Sequence, residues 1–111
     1  MSISSSEPLN LTSLLAFAEG GIASRVLART GGGNITLFAF DAGQGLTEHT
    51  SPYEAFVLVL DGRLTLTIGG TPVDAEPGTI VRMPGHVPHA VDAPIAARML
   101  LVMLRDKESA R

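Results

Sequence analysis

The feature that most constrains this chain is a period-two alternation of apolar and polar residues after residue 21, broken by glycine or proline about every eight to twelve residues. Alternation fits β-strands, because successive side chains of a strand point to opposite faces of the sheet. We count about eight or nine short strands, a number that closes into a small barrel or a two-sheet jelly roll with few exposed edges. The pattern therefore predicts an all-β domain.

Three of the predicted strands are apolar on both faces. They run over Asn34–Phe40, Ala55–Leu60 and Met99–Leu104. Such strands are covered on both sides: by the barrel interior on one, and by a second sheet, a helix or a partner subunit on the other. A small barrel with an apolar outer face would otherwise expose a large patch, so we expect a homodimer.

The N-terminal part of the chain follows a different period. Apolar residues recur at helical spacing over Leu9–Ala18, and Gly20 follows, where glycine takes a left-handed cap without strain. This pattern predicts one short helix packed outside the barrel. We expect a flexible N-terminus over residues 1–8, a single domain over 9–105 and a polar C-terminal tail over 106–111.

Composition narrows the class of protein and its partners. The chain has 111 residues, 45% of them hydrophobic, and no cysteine, so its core forms without disulfides and fits the reducing cytoplasm. With 8 basic against 11 acidic residues it offers no cationic surface for nucleic acid. No apolar run approaches the roughly 20 residues of a membrane helix, and the N-terminus lacks the positive charge of a secretory signal. These observations predict a soluble cytoplasmic protein with neither nucleic-acid nor membrane partners.

The residues that carry potential chemistry are the three histidines, His49, His86 and His89, all predicted at turn-to-strand junctions where a barrel has its mouth. Five residues separate a glycine from His49, and a second glycine follows this histidine; His89 follows a glycine and a proline. The positions that hold this register are Gly43, His49, Gly62, Gly78, Pro84 and His89. Their spacing resembles the two motifs of the cupin superfamily, over about residues 34 to 105. The resemblance implies a small cupin-type β-barrel or jelly roll.

The chain departs from the family pattern at several site positions. Ser51 stands in place of the second histidine of the first motif, and Ala55 in place of its glutamate. Glu54 lies one residue early and would point to the opposite face of a regular strand. In the second motif, His86 replaces a glycine and Ala93 an asparagine.

Members of the family usually bind one divalent metal, and the resemblance carries over two of its ligands, His49 and His89. Two neutral imidazoles suit iron, nickel, copper, zinc or manganese, but a mononuclear site generally needs at least three protein ligands. Glu54 would be the third if a bulge at Pro52–Tyr53 turned it inward; His86 is the other candidate. Ser51, Tyr53 and His86 are predicted to line the ligand site.

Three functions remain open on this basis. The first is a metal-dependent small-molecule enzyme, with the ion on His49, His89 and either Glu54 or His86. The second is a metal-free module or sensor that binds a small, partly apolar ligand through imidazole and hydroxyl groups. The third is metal-free acid–base catalysis, for example by an isomerase, with a histidine as base and Tyr53 as acid.

Overall fold

The computed structural model describes residues 2–105, and the predicted C-terminal tail at 106–111 lies outside them. The described residues form nine strands: β1 Ile22–Thr30, β2 Gly33–Phe40, β3 Gly45–His49, β4 Glu54–Asp61, β5 Leu64–Ile68, β6 Thr71–Ala75, β7 Ile80–Met83, β8 His89–Asp92 and β9 Ala97–Leu104. All pairings are antiparallel, in a five-stranded sheet of order β1-β2-β9-β4-β7 and a four-stranded sheet of order β3-β8-β5-β6. The predicted all-β fold is confirmed. Within residues 2–105 no helix is long and apolar enough to cross a membrane.

The core lies between the two sheets and follows from the alternation along each strand. On β4, Val57 and Val59 are at most 1% exposed, while Leu58 between them faces outward. Leu64 and Leu66 of β5 are fully buried and meet these residues from the other sheet. Because the inward side chains of both sheets are apolar, their burial supplies the main stabilisation of the fold.

The predicted N-terminal helix over Leu9–Ala18 is wrong. This segment makes a single turn, in which the carbonyl of Asn10 accepts hydrogen bonds from the amides of Ser13 and Leu14. The side-chain oxygen of Asn10 accepts two more, from the amide and the hydroxyl of Thr12. Asparagine, serine and threonine favour such local bonds over helix propagation, and a first helical turn is costly to nucleate. The helical spacing of the apolar residues does not outweigh these local hydrogen bonds and the cost of nucleating a helix.

A cluster around Arg98 fixes the N-terminal segment on the outer surface of the five-stranded sheet. The Arg98 guanidinium donates to the carbonyl of Leu15 at 2.8 Å, pairs with Asp61 at 2.6 Å and stacks over the ring of Phe17 at 4.0 Å from its centroid. Ala39, the cross-strand neighbour of Arg98 on β2, is fully buried beside this cluster. The segment that was expected as a helix therefore covers the barrel as an irregular chain.

Candidate functional site

His89 is a buried histidine at the start of β8, on the interior face of the four-stranded sheet. It is 5% exposed, and its cross-strand neighbour on β5 is Ile68. Val91, two residues further along β8, shares this face and belongs to the core cluster. Strand parity therefore directs the His89 imidazole into the barrel.

His49 reaches the same side through an irregularity in β3. Leu46 pairs with Val91, and His49 pairs with His89, so β3 contains one more residue than β8 between these two pairs. In a regular strand, residues 46 and 49 would face opposite sides; the extra residue places them on the same one. The bulge therefore puts His49 beside His89, and the ring of His49 remains exposed at the strand end.

The two imidazoles form a compact pair. Their ring centroids lie 4.5 Å apart with an interplanar angle of 70°. The Nδ1 atom of His49 lies 2.8 Å from the carbonyl oxygen of Thr47, and Nδ1 of His89 lies 3.2 Å from that of Val87. A carbonyl oxygen only accepts, so each Nδ1 carries the proton and donates it. In the neutral ring this leaves Nε2 of both histidines with a free lone pair.

The environment of His89 favours its neutral form. Burial lowers the pKa of His89 below the ordinary imidazole value, because the charged ring loses hydration. The hydrogen bond to Val87 raises the pKa in part, and the neighbouring His49 lowers it. At neutral pH the buried member of the pair is thus an uncharged acceptor at Nε2.

Glu54 begins β4 on the opposite face of the barrel wall. Ala55, the next residue, is 3% exposed and faces the core, so Glu54 points outward as strand parity requires. Both Nε and Nη2 of Arg82 contact Oε1 of Glu54, at 2.7 and 2.6 Å, and the amide of Gly85 donates to Oε2 at 2.8 Å. β4 begins at Glu54, after Pro52–Tyr53, and pairs regularly with β9 up to Val59, so nothing in its register turns this carboxylate inward.

The three residues predicted to line the ligand site lie in two loops that contact each other. The amide of His86 donates to the carbonyl of Ser51 at 2.8 Å, and the Ser51 hydroxyl accepts from the amide of Tyr53 at 3.0 Å. His86 is exposed and adopts a left-handed φ of 66°, which costs a non-glycine residue about 1–2 kcal/mol. The loops are thus joined next to the ends of the strands that carry His49 and His89. Their lining roles remain predictions.

The donor set does not fit a complete mononuclear metal site. The imidazole pair is oriented as metal-binding histidines usually are, with Nδ1–H on a carbonyl and Nε2 free. However, Glu54 is held by Arg82 and Gly85 on the outer face. Among residues 2–105 no group of three or more His, Asp or Glu side chains is placed to hold a metal ion. Two imidazoles alone fall short of the three protein ligands that such a site generally needs.

Sequence reasoning missed the carbonyls of Thr47 and Val87, which orient the two rings. Each lies two residues before its histidine. Because the acceptors are backbone carbonyls, which every residue carries, the sequence holds no signal for them. It also missed Arg82 as the partner of Glu54, because these residues are distant in sequence and meet only through the pairing of β4 with β7.

A pocket lies away from the histidine pair. A concave site of about 300 Å³ lies on the outer surface of the five-stranded sheet, between the ends of β1, β2 and β9. Ile35 and Val102, which are cross-strand neighbours, form part of its wall. The histidines face the interior of the other sheet, so this pocket is a separate feature of the molecule.

Comparison with known proteins agrees with the architecture. The cupin domain profile matches residues 36–103. A protein of unknown function from Streptococcus pyogenes is 32% identical, with a TM-score of 0.90 over 96% of this chain and 94% of its own. A cupin superfamily protein from Desulfitobacterium hafniense is 27% identical, with a TM-score of 0.88 over 96% and 97% of the two chains.

A cupin 2 conserved barrel domain protein from Leptotrichia buccalis is 31% identical, with a TM-score of 0.84 over 87% of this chain and 47% of the other. No curated protein matches the chain significantly. The profile covers more than half of the sequence, and the strands it spans include both histidines. The chain belongs to the cupin family.

Proposed function

We propose that this cupin is a small-molecule-binding domain that holds its ligand through the paired imidazoles of His49 and His89, without a resident metal. The observation that carries the proposal is the pair itself: two rings 4.5 Å apart, each with Nδ1 on a backbone carbonyl. Two oriented imidazoles at the end of a barrel are the kind of convergent polar groups that fix a small ligand.

The tautomer of the pair defines the chemistry of the ligand. Both Nε2 atoms accept hydrogen bonds in the neutral state, so the ligand should present donors such as hydroxyl, amide or amine groups. Leu46 and Ile68 share the interior face with the pair and are only partly buried. A ligand with an apolar portion would cover these side chains while its donors meet the imidazoles. The proposed class is therefore a small, partly apolar molecule with hydroxyl or amine groups.

A metal-dependent enzyme is the second candidate, favoured by the same Nδ1–H bonds to carbonyls. It requires at least one further donor besides the two imidazoles, either His86 after a loop movement or the ligand itself. Elemental analysis separates the two candidates. If protein purified without chelators holds stoichiometric iron, nickel, copper, zinc or manganese, and the His49→Gln/His89→Gln variant does not, the metal-dependent candidate replaces the metal-free proposal.

Ligand binding is tested by thermal shift with a panel of polyols, sugars and small amines. A true ligand at 100 times its dissociation constant adds about 2.7 kcal/mol to the free energy of unfolding, which raises the Tm of a domain of this size by about 10 °C. The His49→Gln/His89→Gln variant should lose this response. A panel that never shifts the Tm of the wild type, or shifts both proteins equally, would contradict the proposal.

His86→Asn is the matched control. It removes an imidazole without changing the pair, and asparagine tolerates the left-handed backbone at this position. We expect this variant to keep most of the ligand response. A partial loss would support the predicted lining role of His86, whereas a loss as large as that of the double variant would move the binding site to the 84–88 loop.

A further inference from the structure

The five-stranded sheet presents two methionines to the interior of the barrel. Met83 on β7 and Met103 on β9 are both cross-strand neighbours of Ala55 on β4. Ala55 is 3% exposed and belongs to the core cluster, so strand pairing directs both methionines to the same interior face. Met83 is 2% exposed, whereas Met103 is only partly buried. We call these three residues the thioether row.

The thioether row and the histidine pair lie at the same end of the barrel. In the four-stranded sheet, His89 pairs with His49 on one side and with Ile68 on the other. The loop of residues 50–53 connects His49 to the start of β4, and the loop of residues 84–88 connects the end of β7 to His89. Because both loops are short and run from one sheet to the other, the imidazoles and the thioethers form opposite walls at this end.

The interior between these walls is apolar and incompletely covered. Four inward side chains pack against the core cluster yet are only partly buried: Leu46, Ile68, Leu101 and Met103. Among residues 2–105 no aspartate, glutamate, lysine or arginine is buried, and the carboxylate of Glu54 faces outward. A charged ligand would therefore lose hydration at this site without gaining a counter-ion. The surroundings favour a neutral ligand.

The two walls together indicate which neutral ligand fits. Methionine sulfur is polarizable and makes favourable contacts with the edges of aromatic rings. The opposite wall offers the Nε2 acceptors of two neutral imidazoles. A phenolic hydroxyl has a pKa of about 10 and is a stronger hydrogen-bond donor than an aliphatic hydroxyl.

We propose that the ligand of the histidine pair is a neutral phenol, whose hydroxyl donates to an imidazole while its ring lies against the thioether row. This inference rests on the proposed function and narrows its ligand class. Met103, the more exposed of the two methionines, forms the main contact with the ring, and Met83 lies behind it.

Ring-current shifts of the methionine methyl groups test this placement. Protein labelled with ¹³C at these methyls is titrated with phenol, and cyclohexanol serves as a non-aromatic compound of similar size. Phenol should shift the methyl signals of Met103 and Met83. It should leave Met99, which pairs with Val59 deeper in the barrel, almost unchanged. The His49→Gln/His89→Gln variant should lose these shifts. Equal shifts at Met99 and Met103, or shifts that persist in the double variant, would overturn the proposal.

The contribution of the sulfur atoms is measured by affinity. Phenol should bind the wild type about tenfold more tightly than cyclohexanol. Met83→Leu/Met103→Leu keeps the volume of both side chains and removes both sulfurs, so this ratio should fall about threefold to tenfold. Met99→Leu is the matched control and should leave the ratio unchanged. A ratio that is the same in the wild type and in Met83→Leu/Met103→Leu would overturn the proposal.

A comparison of ligands separates this inference from the proposed function. Benzoate, an anionic aromatic compound, should bind at least ~10-fold more weakly than phenol, because its charge has no counter-ion at the site. If cyclohexanol or benzoate binds as tightly as phenol and still requires both histidines, the phenol assignment is overturned and the proposed function stands. If neither these compounds nor the thermal-shift panel binds, both are overturned.

Discussion

His49 and Glu54 are close in sequence, yet they point to opposite sides of the barrel wall. β3 contains an extra residue opposite β8, which directs His49 to the same face as His89 at the exposed end of the strand. β4 pairs regularly with β9 from Glu54 to Val59, so Glu54 faces outward and meets Arg82. A shift of one residue in strand register therefore decides whether a side chain faces the interior site or the outer surface.

The same difference separates this chain from a complete metal site. The two imidazoles lie on the inner side of the barrel wall. The carboxylate that would complete the donor set is that of Glu54, which lies on the outer side. Because Arg82 and the Gly85 amide already satisfy that carboxylate, turning it inward would cost two interactions and bury a charge.

The largest expected effect comes from moving a carboxylate to the interior position. Ala55→Glu places an acid at a residue that is 3% exposed, so we expect the free energy of unfolding to fall by roughly 3 kcal/mol or more without metal. Zinc should then restore much of the Tm, because the introduced carboxylate adds a third donor to His49 and His89. The matched control, Ala55→Gln, lacks the charge and should gain little from zinc. Equal stabilisation of the wild type by zinc would contradict our view of its donor set.

The next effect distinguishes the two members of the pair. His89→Ala removes a buried ring and leaves the Val87 carbonyl without its donor, so it should destabilise the protein by about 2 kcal/mol. His49→Ala, at an exposed strand end, should cost about 0.5 kcal/mol. His89→Asn, whose amide nitrogen takes a position similar to Nδ1, should recover part of the loss. Chemical denaturation measures all three, and equal losses at 49 and 89 would argue against their different burial.

Smaller effects are expected on the outer side of the wall. Glu54→Ala leaves the Gly85 amide without this acceptor and should cost about 1 kcal/mol. Glu54→Gln keeps an oxygen for that amide and should cost less. Arg82→Met should cost at most ~0.5 kcal/mol, because the Arg82 side chain is 59% exposed and its ion pair is screened by water. A loss of ligand response in the Glu54→Gln variant would mean that the outer carboxylate takes part in the interior site after all.

The smallest effect is a pH dependence of stability from His89. Its pKa is lowered in the folded state by burial, so the unfolded chain binds a proton more readily. The contribution of the neutral His89 ring to the free energy of unfolding is fully present above the pKa of the unfolded chain, about 6.5. It is lost as the pH falls through the lower pKa of the folded state. His89→Gln should remove this part of the dependence. The difference between the wild-type and His89→Gln unfolding curves from pH 8 to pH 4 isolates it, and a difference that is constant with pH would show that His89 is not desolvated.

The sequence predicted the strands and the proximity of His49 and His89 through patterns that are local or family-wide. Period-two alternation identified β4 and β9, and strand parity correctly directed Glu54 outward. The bulge in β3 was not predictable, because an extra residue is defined only by the strand that β3 pairs with.

The prediction of an N-terminal helix was wrong for a different physical reason. Its apolar spacing was real, but the side chain of Asn10 satisfies nearby donors in a turn, and Phe17 is stabilised by its contact with Arg98 from the far end of the sequence. Long-range contacts of this kind outweigh a weak helical preference in a short segment. The same limitation hid Arg82 as the partner of Glu54.

The arrangement of the histidine pair is tested most directly by long-range ¹H–¹⁵N NMR of the histidine side chains at neutral pH. We predict that the neutral rings of His49 and His89 both carry their proton on Nδ1 and that their ring protons show nuclear Overhauser contacts with each other. A donor at Nε2 of His89, or the absence of any contact between the two rings, would contradict the interior imidazole pair.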